Sequence, residues 1–131
     1  MKVLHLISGG DTGGAKTHVH SLLAGLTPFF RNLNTLTHMV QAEGFDIIHS
    51  HGARGNMMAA FLAKRTGLPT VSTVHSDYRL DYLGRPLSRI TYGTINTIAL
   101  RKLDYRIGVS DAMVDLLIDR RFDPERFFAI Y

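Results

Sequence analysis

The sequence contains no cysteine, which excludes disulfide bonds, thiolate metal sites and a cysteine nucleophile. This absence fits a reducing compartment, and we expect the protein in the cytoplasm. The apolar run after Met1 and Lys2 is brief and lacks a small-residue cleavage site, so no signal peptide is predicted. No apolar run approaches the ~18 residues that a membrane span requires.

Segments of one charge sign are also lacking. The net charge is +4, and residues 1–78 carry six basic and four acidic side chains against nine and seven in residues 79–131. This even distribution, without arginine runs interleaved with aromatics, favours a mildly basic solvated surface over nucleic-acid binding. It leaves open a weak attraction to an anionic membrane surface or to phosphorylated ligands.

The chain has the length of one domain, 131 residues, and short apolar runs alternate with helical patterns along it. We predict strands at Lys2–Ser8, Asp46–Ser50, Thr70–His75 and Tyr105–Val109. The predicted helices are Ala15–Leu26, Asn32–Glu43, Ala53–Thr66, Pro86–Leu103 and Asp111–Asp119, the last capped by Ser110. This order predicts a Rossmann-like α/β domain over residues 1–131, with a parallel sheet and helices on both faces.

The stretch Gly9–Lys16, GGDTGGAK, joins the first strand to the first helix. A glycine-rich turn at this place exposes backbone N–H groups beside the positive end of the helix dipole. Glycine also lets a ligand approach the backbone closely. The turn therefore predicts a phosphate or other anion site.

Ligands of parallel α/β sheets bind at the carboxyl ends of the strands. After the predicted strands, the residues at this edge are Gly9–Gly14, His49–Gly52, His75–Asp77 and Ser110–Asp111. His18, in the first turn of the first helix, can reach the same edge. We favour a functional role for His51 and His75 and a structural one for His49.

Four motifs in sequence, GGDTGGAKTHV, DIIHSHG, PTVSTVHSD and YRIGVSD, carry a family resemblance. Together they resemble the N-terminal domain of a retaining family 4 glycosyltransferase of the GT-B fold. The similarity extends over nearly the whole chain. It implies one half of a two-domain, cytoplasmic, bacterial enzyme that can associate peripherally with the inner membrane face.

The resemblance implies transfer of a sugar from a nucleotide diphosphate sugar to a small-molecule, lipid or glycan acceptor, without a metal or other cofactor. Gly13 and Gly14 would face the donor diphosphate, and His75 would be catalytic, beside the transferred sugar. The cleft and acceptor residues implied by the same comparison are His18, His51, Ser76, Asp77 and Arg79.

The sequence departs from the family pattern in two places. The family has two further strands between its first helix and the strand matching DIIHS, where this chain has only Thr27–Gly44. Thr27–Arg31 is predicted to be a junction, and the first strand then becomes an exposed edge suited to homo-oligomer pairing. The chain also stops at Tyr131, before the donor-binding domain, so we expect it to be inactive alone.

Three alternatives stay open at this point. Gly10–Thr17 differs from a P-loop only by Ala15 at the second glycine, which would indicate a nucleotide-binding protein. A folded, non-catalytic interaction module is the second alternative. A metal site made by His18, His51 and His75 is the third.

Overall fold

The computed structural model describes residues 1–7, 18–77 and 86–130, and the side chains of residues 18–28, 86–89 and 92 are left out of the description. Five parallel strands form one sheet in the order β1-β2-β3-β4-β5. The elements are β1 (Val3–Ile7), α1 (His18–Glu43), β2 (Ile47–His51), α2 (Gly52–Thr66), β3 (Thr70–Val74), α3 (Pro86–Lys102), β4 (Tyr105–Gly108), α4 (Asp111–Asp119), a 3-10 turn (Pro124–Arg126) and β5 (Phe127–Ala129). The predicted parallel α/β class and its first four strands are confirmed.

One face of the sheet is covered by helices, and its strand residues are buried. Ser50 and Ser72 bond Asn56 of α2, and Val114 of α4 lies against Gly108. Leu33 of α1 belongs to the same core. We call this the helix face.

The opposite face is less covered. The residues on this face are paired across neighbouring strands: His5 with His49, His51 with Thr73, and Thr73 with Ile107. His5 is exposed and the other four are half-buried. We call the surface formed by His5, His49, His51, Thr73 and Ile107 the open face.

The distribution of helices differs in one respect from the sequence expectation of helices on both faces. Among the described residues, Asn56 of α2, Val114 of α4 and Leu33 of α1 all lie on the helix face. Each strand pairs with the next one along the chain, and right-handed crossovers between such neighbours place successive helices on the same side. Helices on both faces require a reversal of strand order.

The predicted break between the helices Ala15–Leu26 and Asn32–Glu43 is wrong, because α1 is one helix of 26 residues that runs through Thr27–Arg31. A proline inside a helix costs about 3 kcal/mol. Tertiary packing offsets the cost of Pro28: Phe29 and Phe30 lie 5.8 and 6.3 Å from Phe61 of α2, between ring centroids, and Leu33 is fully buried.

The carboxyl end of α3 is capped by a buried arginine from the neighbouring strand. Arg106 donates from Nε to the carbonyl of Leu100 at 2.8 Å and from Nη2 to that of Leu103 at 2.7 Å. These are carbonyls that a helix end leaves without partners. Burial lowers the pKa of Arg106 to about 10, so the group stays charged at neutral pH and complements the negative end of the helix dipole.

A small residue brings α2 close to the sheet. A Cβ at Gly55 would lie 2.8 Å from the carbonyl oxygen of Leu6 and 3.7 Å from Cβ of Ser50. The next residue, Asn56, accepts hydrogen bonds from Ser50 and Ser72 at 2.7 and 2.6 Å. Its Nδ2 donates to Asn96 of α3 at 2.9 Å. Two strands and two helices therefore meet at one buried amide.

We predict that Gly55→Ala destabilises the protein by roughly 1–3 kcal/mol, because the new methyl group meets backbone that cannot rotate away. The control is Gly93→Ala in α3, where a Cβ meets nothing within 4 Å. That change should stabilise the helix by roughly 0.5–1 kcal/mol. Urea denaturation followed by circular dichroism measures both free energies of unfolding. Equal effects of the same sign would contradict the close approach of α2 to β1.

Candidate functional site

The carboxyl ends of β2 and β3 bring two of the predicted histidines together. His51 ends β2, and His75 directly follows β3, whose Thr73 is the register partner of His51. Nδ1 of His51 lies 3.0 Å from Nε2 of His75, and the rings stack with centroids 5.3 Å apart. His75 is exposed and His51 is half-buried. The pair is thus open to a ligand at the edge where ligands of such sheets bind.

Two further histidines continue this pair across the open face. His49 lies two residues before His51 on β2, and His5 of β1 is its register partner. The His49 ring centroid is 4.4 Å from that of His51 and 4.8 Å from that of His5. Nε2 of His49 also bonds Thr73 Oγ1 at 2.7 Å. We call His5, His49, His51 and His75 the histidine cluster.

Within the histidine cluster, the two rings on β2, those of His49 and His51, favour the neutral form. Burial lowers the pKa of His49 to about 4, and the neighbouring rings of His51, His5 and His75 add to the shift. Burial, followed by the proximity of His75 and His5, also lowers the pKa of His51. A neutral imidazole has one donor and one acceptor nitrogen. At neutral pH these two rings can therefore donate and accept hydrogen bonds but carry little charge.

Asp77 is held by an arginine from another element. Both carboxylate oxygens of Asp77 accept hydrogen bonds from Arg120, each at 2.6 Å. The two side chains are 16% and 13% exposed. Arg120 directly follows α4, so this ion pair fixes the segment after β3 to the end of α4. The structure thus gives Asp77 a positioning contact beside His75.

The remaining predicted residues are only partly within the description. Gly13, Gly14 and Arg79 lie outside the described residues. His18 is the first described residue of α1, but its side chain is not described. Ser76 is exposed next to His75. The predicted N-cap at Ser110 is confirmed, since its Oγ accepts from the Met113 N–H at 3.3 Å.

His5 and His49 are not among the functional histidines predicted from the sequence. Residues two apart on a strand point to the same face, so the spacing of His49 and His51 already placed both rings together. The spacing alone does not give the strand register, which sets His5 of β1 opposite His49. The cluster therefore depends on a pairing that only the folded sheet reveals.

The comparison with known families decides the affiliation of the chain. The sequence model of the glycosyl transferase 4-like domain matches residues 11–131. The chain belongs to this family. The resemblance carried by the four motifs is thereby confirmed. No curated protein matches the chain.

Solved structures share the fold of this glycosyl transferase 4-like domain at low sequence identity. UDP-N-acetylglucosamine 2-epimerase from Rickettsia bellii matches with a TM-score of 0.66 and 13% identity, over 98% of this chain and 44% of that one. The Anabaena HepE protein in complex with UDP matches with a TM-score of 0.65 and 16% identity, over 100% of this chain and 44% of that one. The chain thus spans less than half the length of either structure.

None of the helices in the described part of the chain is long and apolar enough to cross a membrane.

We predict that Asp77→Asn lowers the free energy of unfolding by roughly 1.5–3 kcal/mol, because a largely buried guanidinium loses its charged partner. The control is Glu43→Gln, which removes the charge from an exposed ion pair with Lys2 and should cost below ~1 kcal/mol. Thermal and urea unfolding of both variants measure the difference. If the two variants are equally stable, the Asp77–Arg120 pair has no positioning role.

Proposed function

We propose that this domain is the acceptor-side half of a retaining, metal-independent glycosyltransferase of the hexosyltransferase type. It moves a sugar from a nucleotide diphosphate sugar to a small-molecule, lipid or glycan acceptor. The observation that carries this proposal is the His51–His75 pair at the carboxyl edge of the sheet, in a chain that matches the family over residues 11–131. The chain spans 44% of each solved relative, and by itself it is inactive.

Charge development in the reaction explains the proposed roles. Cleavage of a sugar–diphosphate bond leaves negative charge on the diphosphate and positive character at the anomeric carbon. The N–H groups of Gly13 and Gly14, in the glycine-rich segment that precedes α1 in the sequence, stabilise the diphosphate. His75 is the catalytic residue and hydrogen-bonds a phosphate oxygen or a sugar hydroxyl. His51, with its lowered pKa, holds the His75 ring by hydrogen bonding.

The acceptor lies along the segment that follows β3. His18, His51, Ser76, Asp77 and Arg79 border this part of the cleft, and the Asp77–Arg120 ion pair keeps the segment in place. The enzyme acts in the cytoplasm, at or near the inner membrane face, with weak attraction to anionic lipid. The outer edge of β1 pairs copies of the chain. The family match favours this proposal over the P-loop alternative.

We predict that His75→Ala in the full-length protein reduces kcat roughly 10²-fold or more, since hydrogen-bonding and acid–base groups contribute on that order. Because His75 is exposed, the melting temperature should stay within a few degrees. Release of nucleoside diphosphate from a panel of donor sugars, in the presence of EDTA, measures turnover. The matched control is His38→Ala, an exposed histidine on α1, which should keep wild-type turnover.

Wild-type protein that releases no nucleoside diphosphate from any donor and acceptor would overturn the proposed function. Equal turnover of His75→Ala and wild type would overturn only the role of His75. Dependence of turnover on a divalent cation would overturn the metal-independent mechanism.

We predict that Gly14→Val in the full-length protein weakens binding of the nucleotide diphosphate sugar and of the bare nucleoside diphosphate at least tenfold. A side chain there stands between the ligand and the backbone N–H groups, and each lost bond to a charged group costs roughly 1.5–3 kcal/mol. Acceptor binding should change less, because the acceptor contacts follow another strand. Calorimetry on the folded variant checks this, and unchanged donor affinity would contradict the anion site.

A further inference from the structure

Three imidazoles meet on the open face at the β1–β2 side of the sheet. His5, His49 and His51 each offer one ring nitrogen, and these three atoms lie within 4.8 Å of one another. We propose that they form a binding site for one transition-metal ion of the Zn²⁺, Co²⁺ or Ni²⁺ type. The metal site shares His51 with the proposed transfer site. Its set of residues differs from the His18, His51 and His75 set considered from the sequence.

The backbone fixes the three positions before any ion arrives. His49 and His51 are two residues apart on β2, so their side chains project from the same face, and His5 is held opposite His49 by the parallel register. Adjacent strands lie about 4.8 Å apart. Ring centroid distances of 4.4 Å for His49–His51, 4.8 Å for His5–His49 and 5.9 Å for His5–His51 follow from this placement.

Neighbouring side chains orient two of the three rings. His49 uses Nε2 for Thr73, and His51 uses Nδ1 for His75. Each ring has a second nitrogen beyond the one that makes this bond. Metal-binding histidines characteristically use one nitrogen for the ion and the other for an oriented partner. Thr73 and His75 thus supply the outer contacts that such a site needs.

The ligand chemistry selects the class of ion. Imidazole nitrogen suits Zn²⁺, Co²⁺, Ni²⁺ and Cu²⁺, whereas Mg²⁺ and Ca²⁺ prefer oxygen. Zn–N bonds of about 2.0–2.1 Å place tetrahedral ligands roughly 3.3 Å apart, so the rings close by about 1.5 Å or less around the ion.

The site joins the edge strand to its neighbour. Among the described strands β1 pairs only with β2, and an ion held by His5 together with His49 and His51 crosslinks these two strands on the open face. Because the ion binds the folded arrangement better than the unfolded chain, it stabilises the fold by an amount that grows with the logarithm of the free ion concentration once this exceeds the dissociation constant.

The test uses the 131-residue chain purified without an oligohistidine tag and stripped with EDTA. Calorimetry with ZnCl₂ should show one ion per chain, and Zn²⁺ should raise the melting temperature. Bound Co²⁺ should show the visible absorption band of a nitrogen-ligated ion, and added Zn²⁺ should remove this band by displacing the Co²⁺. MgCl₂ at the same concentrations should produce neither effect.

Two variants and one matched control identify the ligands. His5→Gln and His49→Gln should each weaken Zn²⁺ binding at least tenfold, and His5 is exposed, so that substitution leaves the fold intact by circular dichroism. His38→Gln, on exposed α1 surface, should bind Zn²⁺ like wild type. Absence of saturable Zn²⁺ binding, or wild-type affinity in folded His5→Gln, would overturn the site.

Discussion

The fold depends on the close approach of α2 to the sheet at Gly55 and Asn56. The missing side chain at Gly55 lets the helix reach the Leu6 carbonyl, and this approach places the Asn56 amide between Ser50 and Ser72. A buried polar network is stabilising only when all of its members have partners. Nδ2 of Asn56 donates to Asn96 of α3. One amide therefore sets the spacing of β2, β3 and two helices, and Gly55 beside it sets the approach to β1. The strand ends that carry the histidines take their positions from this spacing.

Much of the fold was predictable because each element has a local signal. Alternating apolar runs and helical patterns gave the first four strands, and Ser110 before Asp111 gave the cap of α4. The prediction failed at Pro28, where the local cost of proline is outweighed by the packing of Phe29 and Phe30 on Phe61. That packing joins residues more than thirty positions apart, and no local pattern records it.

The candidate site was predictable where it follows from topology alone. The strand-end rule placed His51 and His75 together, and the structure confirms their contact. The strand-end rule could not show that Asp77 is bound by Arg120. That ion pair joins two segments distant in the sequence, and their proximity depends on the packing of α4. His5 was missed for a similar reason: its meaning comes from the register with His49. Gly13, Gly14 and Arg79 remain predictions.

The strand order has a consequence for how this architecture varies. Each strand pairs with the next one along the chain. The order of the strands across the sheet is therefore the same as their order in the sequence, from one edge to the other. A strand and helix added at the outer edge of β1 would extend the sheet at that edge and would leave the connections among β2 to β5 unchanged. Such a change would leave the pairings of β2 to β5 as they are, and with them the half of the sheet that carries His75 and α4.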